Sequence, residues 1–430
     1  MRAIAFLLFT LLPVLHASAF SLIKKETDTL KSPTLLVIGG IHGNEPGSYF
    51  ASALLTQYYH IKKGNLWIIP DLNRKSIQEN NRGINGDLNR KFSQIDPEDP
   101  DIGIVKEVQK IITEPQVGLI LNLHDGHGFY RKKYLNTIFN PNAWGQTCVI
   151  DQQMLDHEHP FGHLDTIASN VSRSLNDDLI EEHHFFDVRN TNTRFDDEAM
   201  KHSLTYFAVT NHKPAFAIET SKHLPTLHHK VFYQLRAIEC YMRLMGIEFE
   251  RTFTLNPEAI QNLLKTQGSL TINNNFYLKI ENLRNTLSFI PLKSGINDFK
   301  FSHPLGSVRK NRHQFDLFIG NQKISSLVPD YASNESCSEQ ISVLADNQPI
   351  TLAVATDFFV MDDFKIVNHN PNIRVNIIGF TAKGVKDESN IPVRLQDLDS
   401  NYSIDTSKKS YRIEFYRENR FCGMVLVHFK

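Results

Sequence analysis

The sequence predicts an α/β domain followed by two small all-β domains, and three observations support this fold class. Between about residues 30 and 247, short and nearly continuous apolar runs alternate with segments of helical periodicity, as in a sheet covered by helices on both faces. After residue 249 the chain changes to short alternating runs broken by Asn, Gly and Asp, which is typical of all-β modules. The length of 430 residues also exceeds the usual size of one hydrophobic core.

Four strands and three helices are predicted in the first domain. The strands are short and nearly continuous in apolar residues, as strands buried on both faces are. They cover residues 34–40, 65–70, 117–123 and 214–220. Pro46 favours the first turn of a helix that continues to residue 59. Further helices are predicted over residues 102–112 and from Leu227 to a C-cap at Gly246.

The domain boundaries that we expect follow from these patterns. Residues 1–19 form a signal peptide, residues 20–247 the α/β domain, residues 248–334 a small β domain and residues 335–430 a last β domain. The polar segment 328–339 contains few apolar residues and is the expected linker between the two β domains.

The N-terminal segment has the pattern of a secretory signal peptide. Arg2 precedes an apolar run at residues 3–15, and Ala17 and Ala19 give the small-residue pattern of a cleavage site. This run is too short for a spanning helix, and a buried first strand or helix is the alternative interpretation. No later apolar run is long enough to cross a bilayer, so we expect an exported, soluble, periplasmic chain that begins near Phe20.

Composition argues against one class of partner and leaves the cysteines undecided. The formal net charge is −1 and no basic arm occurs, so a nucleic-acid partner is not expected. Four cysteines are few for an oxidising compartment. A bridge between Cys337 and Cys422 and unpaired buried thiols both remain open. No cysteine has the spacing of a thiolate metal site.

His42 and Glu45 stand three residues apart on a glycine-rich bend. The stretch 35–55 runs from an apolar strand through Gly-Gly into these two residues, and then into the helix that begins at Pro46. Ligands of open α/β sheets gather at the carboxyl ends of strands, and zinc accepts neutral imidazole and carboxylate ligands. Because the H-x-x-E pattern is common by chance, a third ligand is required from another strand end.

His124 follows another apolar strand and is the candidate third ligand. His127, on the same loop, is the rival, but His124 lies closer to the strand end, where the sheet fixes the position of a side chain. Glu219 ends a third buried strand and is the candidate general base, since a carboxylate near a metal can take the proton of a water molecule. A core histidine and an edge or helix-capping carboxylate are the respective alternatives.

The loop NNRGINGDLNRKFS contains Arg82, Asn89 and Arg90 between the first and second ligand segments. A guanidinium group matches a carboxylate bidentately, so an arginine here can bind the carboxylate of a substrate. An arginine can also stabilise the oxyanion that forms on an attacked carbonyl. A solvated loop with incidental arginines is the alternative.

Three other histidine-containing segments could bind metal in principle, at residues 156–163, 181–184 and 227–230. They have no companion at a strand end. We therefore expect solvated loops and helix faces at these positions.

Taken in order, these segments resemble the zinc carboxypeptidase family, the carboxypeptidase A-like metallohydrolases. The matching blocks are HGNE, GDLNRKF, LNLHDGHG and AIETS, and the resemblance covers roughly residues 30–247. It implies a central mixed sheet flanked by helices, with one Zn²⁺ per chain. His42, Glu45 and His124 are implied as the zinc ligands and Glu219 as the general base.

The same resemblance implies a set of substrate contacts. Asn89 and Arg90 would bind the terminal carboxylate of the substrate, and Arg82 would polarise the scissile carbonyl. The spacing from Arg82 to Arg90 is shorter than in digestive carboxypeptidases. Trp144 and Thr205 would line the substrate pocket, with ordinary packing as the alternative for both.

With its signal peptide and two β domains, the architecture is similar to the cell-shape DL-carboxypeptidases of helical Gram-negative bacteria. That likeness implies an enzyme that releases terminal meso-diaminopimelate from peptidoglycan tripeptides, with an immunoglobulin-like last domain. A zinc deacylase of small N-acyl amino acids, such as succinylglutamate or acetylaspartate, is the alternative. A third hypothesis is a catalytically silent wall-binding scaffold. Protein or cell-wall contacts are expected through the β domains.

Overall fold

The computed structural model describes residues 20–27, 32–334 and 340–430. The signal peptide expected at residues 1–19 lies outside these ranges, and so does Cys337. Within them the chain forms an α/β region followed by β-sheets, which confirms the predicted fold class.

Eight α-helices occur in the described ranges. Their bounds are α1 Pro46–Tyr58, α2 Arg74–Gln78, α3 Ile102–Ile112, α4 Leu164–Asn176, α5 Thr193–Asp196, α6 Leu204–Thr210, α7 Leu227–Leu244 and α8 Pro257–Lys265. Helices α1, α3 and α7 confirm the three predicted helices. Gly246 follows α7 at a φ of +71°, the left-handed conformation that glycine favours after a helix. None of these helices combines the length and the apolar character that a membrane crossing requires.

The first eleven strands belong to the α/β region. Their bounds are β1 Ile23–Glu26, β2 Thr34–Ile38, β3 Tyr59–Lys63, β4 Asn65–Ile69, β5 Val117–Gly126, β6 Phe129–Tyr130, β7 Phe139–Asn140, β8 Thr147–Ile150, β9 Asp187–Asn190, β10 Ala215–Ser221 and β11 Glu248–Arg251. Seven of them form one sheet in the order β1-β4-β2-β5-β10-β8-β9. The pairs β4–β2, β2–β5, β5–β10 and β8–β9 are parallel, whereas β1–β4 and β8–β10 are antiparallel. The central sheet is therefore mixed, as expected.

The four predicted strands are β2, β4, β5 and β10, and every residue in them is buried. Strand β5 continues three residues past its predicted end, so His124 lies inside the strand rather than after it. The elements β8, α4 and β9 were not predicted. Strand β9 has the polar sequence DVRN and is only partly buried, so it gives little hydrophobic signal.

The helices cover the sheet and join its strands in one core. Helices α1 and α4 both contact α7, and helices α3 and α6 both contact β5. The core contains large, fully buried side chains such as Tyr49, Trp67 and Tyr233. Because interiors of this kind are close-packed, the carboxyl ends of β2, β5 and β10 are held at fixed positions.

The next seven strands form two further sheets. Their bounds are β12 Ser269–Ile272, β13 Phe276–Lys279, β14 Thr286–Leu292, β15 Phe299–Phe301, β16 Gly306–Asn311, β17 Gln314–Ile319 and β18 Gln322–Tyr331. The sheet orders are β13-β12-β15 and β14-β18-β17-β16. Strand β18 includes residues 328–331, which were expected to begin a linker. Strand β11 lies just after the predicted boundary at residue 247 and pairs with β3; the domain boundaries themselves stay predictions.

The middle β region, formed by strands β12 to β18, contacts the C-terminal end of α2. Gln78 Nε2 donates to Ser307 Oγ at 2.8 Å, and Arg309 forms an ion pair with Glu79. These contacts lie three to four residues before Arg82 in the chain. The middle β region therefore supports the loop that carries one of the predicted site residues.

The last eight strands form two four-stranded sheets around a core of their own. Their bounds are β19 Ile341–Ala345, β20 Gln348–Leu352, β21 Thr356–Val360, β22 Asp363–Val367, β23 Ile373–Ile377, β24 Val393–Arg394, β25 Ser410–Arg417 and β26 Arg420–Phe429. The sheet orders are β20-β19-β22-β24 and β21-β26-β25-β23. Cys422 is buried and disulfide-bonded, whereas Cys148 and Cys240 are free thiols.

Candidate metal centre and active site

His42 lies on a tight turn between β2 and α1. This turn is tied to the segment after β4, since the Asn73 N–H donates to the Gly40 carbonyl oxygen at 2.9 Å. Gly43 packs so closely against Ser76 that a Cβ atom on it would lie 2.0 Å from the Ser76 carbonyl oxygen. The glycine-rich sequence is therefore required by close backbone packing, and it fixes the position of the histidine.

Glu45 is the residue before α1, and its side chain is buried beside His42. Its carboxylate does not cap the helix and instead accepts a hydrogen bond from the Asp125 backbone N–H at 3.2 Å. The N-terminus of α1, which begins at Pro46, favours a negative charge here. The H-x-x-E spacing brings His42 Nδ1 within 3.0 Å of Glu45 Oε1.

His124 of β5 completes a buried group of three side chains. Its Nδ1 lies 2.9 Å from Glu45 Oε2 and 3.2 Å from His42 Nδ1. One ligand atom from each of the three residues lies within 4.8 Å of the other two. Gln234 of α7 donates to the His124 carbonyl oxygen at 2.7 Å, which holds the strand in place. The two strand ends thus bring three ligand atoms to one point.

Asp87 orients His42, although it was not predicted as a site residue. Its Oδ1 lies 2.8 Å from His42 Nε2, and the same oxygen accepts the Asn89 N–H at 2.9 Å. A carboxylate on the second ring nitrogen fixes the tautomer and the orientation of a metal-binding histidine. Nδ1 of His42 is therefore the nitrogen that faces Glu45 and His124.

The charges of these groups suit a cation. Burial would raise the pKa of the Glu45 carboxyl, but the His42 and His124 imidazoles outweigh it and hold that pKa well below its usual value. Burial lowers the pKa of His124 and so favours its neutral form. Burial also acts to lower the pKa of His42, but Glu45 and Asp87 outweigh it and raise that pKa, so a metal ion that binds there would displace a proton. Ionised carboxylate and neutral imidazole are the forms that bind a divalent metal. The residues present therefore fit a metal ion at this point.

Glu219 lies in β10, directly opposite His124 in the parallel pairing with β5. Its side chain is almost fully buried. Burial raises the pKa of the Glu219 carboxyl well above its usual value, and the negative charge of Glu45 adds to this shift. A carboxyl group with a raised pKa in a cleft is a typical candidate for general acid–base chemistry.

Arg82 and Lys222 bring positive charge to the same cleft. Arg82 Nη1 lies 3.1 Å from Glu45 Oε1, and its Nε lies 2.9 Å from Asp87 Oδ2. Lys222 Nζ lies 3.6 Å from the same Glu45 oxygen. The Arg82 side chain is 44% exposed, so it can also meet a molecule that enters from solvent. Lys222 was not predicted as a site residue.

Asn89 and Arg90 lie on the 3₁₀ turn Leu88–Arg90. Asn89 is buried, and its Oδ1 accepts the Leu204 N–H at 2.9 Å. Arg90 Nη1 donates to the Asn89 carbonyl oxygen at 2.9 Å. The turn is thereby joined to α6, the helix that carries Thr205, so these three predicted residues are held together.

All nine residues predicted from the sequence line one cleft of about 250 Å³. Trp144 is half-buried there, and the Arg189 guanidinium stacks 3.8 Å from its ring centroid. Thr205 is buried in the wall. The cleft is also lined by His127, the rival candidate for the third ligand, and by residues that were not predicted, namely Asp125, Gly126, Val149, Met200, Ala217 and Lys222.

The remaining histidine segments have different environments. His127 lines the cleft but is not one of the converging ligands; its ring centroid lies 4.6 Å from that of His223. Segment 181–184 contains the 3₁₀ helix Glu182–His184, and His184 is fully buried. The expectation of a solvated loop is therefore wrong for His184.

Two family descriptions match the chain. Residues 1–265 match "carboxypeptidase controlling helical cell shape catalytic". Residues 334–430 match "C-terminal domain of metallo-carboxypeptidase". Among curated protein sequences, none matches the chain.

Solved structures of the cell shape determinant protein Csd4 from Helicobacter pylori resemble the whole chain. The apo and tripeptide-bound forms are each 33% identical in sequence, with a TM-score of 0.89, and cover 96% of this chain and 100% of their own. The mDAP-bound form, described as a D,L-carboxypeptidase, has the same identity and TM-score and covers 95% of this chain and 100% of its own. The likeness therefore includes both the α/β region and the β-sheets.

Proposed function

The chain belongs to the family of carboxypeptidases that control helical cell shape, and from this premise we propose that it is a periplasmic zinc D,L-carboxypeptidase. Its proposed substrate is a peptidoglycan tripeptide. Hydrolysis releases the terminal meso-diaminopimelate and leaves a dipeptide, and this trimming contributes to cell shape.

One observation carries the proposal: a His–Glu–His ligand set, a buried carboxylate and two arginines line a single cleft. A metal-dependent hydrolase that acts at a chain end needs a Lewis acid, a proton acceptor and a cation for the terminal carboxylate. The tripeptide-bound and mDAP-bound structures of Csd4 support the substrate class.

The proposed zinc ligands are His42, Glu45 and His124. Two imidazoles and one carboxylate form a donor set that catalytic zinc sites use, with a further position open to water or substrate. When bound, zinc would polarise the scissile carbonyl and activate a water molecule. Asp87 keeps the His42 ring in the orientation that this binding requires.

Glu219 is the proposed general base and acid. In this role its carboxylate takes a proton from the attacking water and then donates it to the leaving amino group of meso-diaminopimelate. Its pairing opposite His124 supports this assignment, since it places the carboxylate on the ligand side of the sheet.

The remaining polar side chains of the cleft have two proposed roles. Arg82 would stabilise the oxyanion that develops on the attacked carbonyl. Asn89 and Arg90 would bind the free carboxylate at the end of the substrate, which selects for a chain end. Trp144 and Thr205 would line the substrate pocket between these groups.

The proposed location follows from the N-terminal pattern. Residues 1–19 read as a secretory signal peptide, and the proposed substrate is part of the cell wall outside the inner membrane. The β-sheets after residue 268 are the proposed surfaces for cell-wall or protein contacts.

Metal removal and restoration on a purified tripeptide test this proposal. Chelation should abolish release of meso-diaminopimelate, and added zinc should restore it. Equal activity before and after chelation, or no activity in either state, would contradict the proposal. Hydrolysis of N-acyl amino acids without any hydrolysis of the tripeptide would favour the deacylase alternative.

A further inference from the structure

A second group of side chains that could hold a metal ion lies outside the cleft, in the segment before β9. Glu181, His183 and His184 each offer a ligand atom, and these three atoms lie within 4.8 Å of one another. We propose that they form a second metal site, for zinc or a related divalent transition-metal ion. The site is separate from the ligand set of the proposed reaction and does not depend on the substrate.

The 3₁₀ helix Glu182–His184 produces this arrangement. The ring centroids of His183 and His184 lie 4.4 Å apart, and His183 Nδ1 lies 3.2 Å from Glu181 Oε2. Ligand atoms that surround one zinc ion in a tetrahedron lie roughly 3–4 Å from each other. The spacing of Glu181 and His183 is therefore that of two ligands on one ion, and the ligand atom of His184 lies within 4.8 Å of both.

His184 supplies an independent indication of a ligand. Its side chain is fully buried, and its Nδ1 lies 3.1 Å from the Tyr233 hydroxyl. Its buried Nε2 has no hydrogen-bond partner among the described residues. Since buried polar atoms are nearly always paired, this nitrogen requires an explanation. A metal ion on Nε2, with Nδ1–H donating to Tyr233, would satisfy both ring nitrogens.

The other two ligands leave the site open to solvent. The side chains of Glu181 and His183 are 53% and 47% exposed, so an ion can enter without unfolding of the chain. Two imidazoles, which are borderline donors, together with one carboxylate form a ligand set of the kind that binds zinc and its neighbours in the first transition series. A buried ligand with two exposed ones therefore suits a site that an ion can enter and leave.

Arg131 connects this segment to the loop after β6. Its Nη2 donates to the His183 carbonyl oxygen at 2.6 Å, and its Nη1 donates to the Phe185 carbonyl oxygen at 3.2 Å. An ion that binds only the folded chain stabilises it by an amount that grows with the logarithm of its free concentration once that concentration exceeds the dissociation constant. We therefore expect the second ion to stabilise this part of the α/β region and not to take part in hydrolysis.

The test counts zinc in the full chain after the proposed catalytic ligands are removed. The His42→Ala/His124→Ala variant should retain one zinc ion per chain after dialysis against buffered zinc, measured by mass spectrometry of the metal. Adding His183→Ala should reduce this number to zero. Adding His157→Ala should leave it at one, since His157 belongs to another histidine pair, with His212, whose centroids are also 4.4 Å apart.

Two results would overturn the second site: a double variant that binds no zinc, or zinc that remains after His183→Ala. If circular dichroism shows that the double variant does not fold, the parent chain gives the answer. It should hold two zinc ions, and His183→Ala should hold one while hydrolysing the tripeptide at the parent rate. A parent chain that holds a single ion would contradict the proposal. Metal content is the readout, so failure of the proposed substrate would not affect it.

Discussion

Glu219 of β10 and His124 of β5 are direct partners in the parallel pairing of these two strands. Partners in adjacent strands send their side chains to the same face of a sheet. A shift of the register by one residue would turn one of the two side chains to the opposite face. The backbone pairing of two buried strands therefore sets the position of the proposed base relative to a proposed metal ligand.

Asp87→Asn tests the orientation of His42. The amide cannot act as a charged acceptor for the His42 ring, and it also weakens the contact with Arg82. We expect zinc affinity to fall about 10- to 100-fold, measured by competition with a chelator. Asp298→Asn, on an exposed ion pair with Lys300, is the control and should not change the affinity. An unchanged affinity in Asp87→Asn would show that His42 does not need this partner.

Gly43→Ala tests the close packing of Gly43 against Ser76 in the turn that carries His42. The added Cβ would lie 2.0 Å from the Ser76 carbonyl oxygen, so the backbone of the turn must move. We expect weaker zinc binding and a lower apparent melting temperature. Gly103→Ala in α3 is the matched control, because a Cβ there meets no atom within 4 Å, and alanine favours a helix by up to about 1 kcal/mol. Equal behaviour of the two variants would contradict this account of the turn.

Arg90→Lys tests the proposed recognition of the terminal carboxylate. Lysine keeps the charge but not the planar fork of donors. We expect kcat/KM for the tripeptide to fall about 10- to 100-fold, the range that a lost charged hydrogen bond gives. A tripeptide in which an amide replaces the terminal carboxylate that Arg90 is proposed to bind should be a poor substrate for both the parent and Arg90→Lys. Arg194→Lys, on an exposed arginine, should have no effect. An unchanged preference for the acid over the amide in Arg90→Lys would remove Arg90 from this role.

Asp316 makes the stability of the middle β region depend on pH. Burial alone would raise the pKa of its carboxyl, but Lys323 and hydrogen bonds from Ser326, Asn311 and Gln314 lower it to about 2. The pKa is thus lower in the folded chain than the usual value of about 3.9. The ionised carboxylate therefore stabilises the fold above pH ~4, and this contribution declines as the pH falls toward 2.

Asp316→Asn should consequently destabilise the chain more at pH 6 than at pH 3. At pH 6 the substitution should lower the free energy of unfolding by about 1–3 kcal/mol. At pH 3 about half of the stabilisation that the ionised carboxylate provides should already be absent from the parent chain, so the substitution should cost less. Urea denaturation at the two pH values measures this difference. A loss that is the same at both values would show that the carboxylate is not the group responsible.

Strand-end patterns predicted much of the candidate site from the sequence. His42, His124 and Glu219 follow or end continuous apolar runs, and such runs become buried strands whose carboxyl ends share one edge of the sheet. Glu45 was predicted from its spacing to His42, and the family resemblance supplied the specific roles of Arg82, Asn89 and Arg90 and the assignments of Trp144 and Thr205. All of them line one cleft, while their chemical roles stay proposals.

Other parts of the site gave no signal of that kind. Asp87 lies in the loop NNRGINGDLNRKFS and Lys222 directly follows the block AIETS, but neither was assigned a role, because a polar residue in a loop has no periodicity that shows its partner. The contact of Asp87 with His42 exists only once the loop has folded back onto the turn after β2. The position of Asp87 as the N-cap of the turn Leu88–Arg90 was the available clue. The sequence did not reveal the burial of His184, because this burial depends on contact with α7, the helix that carries Tyr233.

The most direct test of the central claim is mass spectrometry of the peptides formed from a purified peptidoglycan tripeptide by the parent chain and by Glu219→Gln. The parent should produce the dipeptide and free meso-diaminopimelate. Glu219→Gln should produce them about 10²- to 10⁴-fold more slowly, the contribution expected of a general base, with its zinc content unchanged. Glu250→Gln, on an exposed ion pair with Lys62, should match the parent. An intact tripeptide after digestion by the zinc-loaded parent, or equal rates for the parent and Glu219→Gln, would contradict the account.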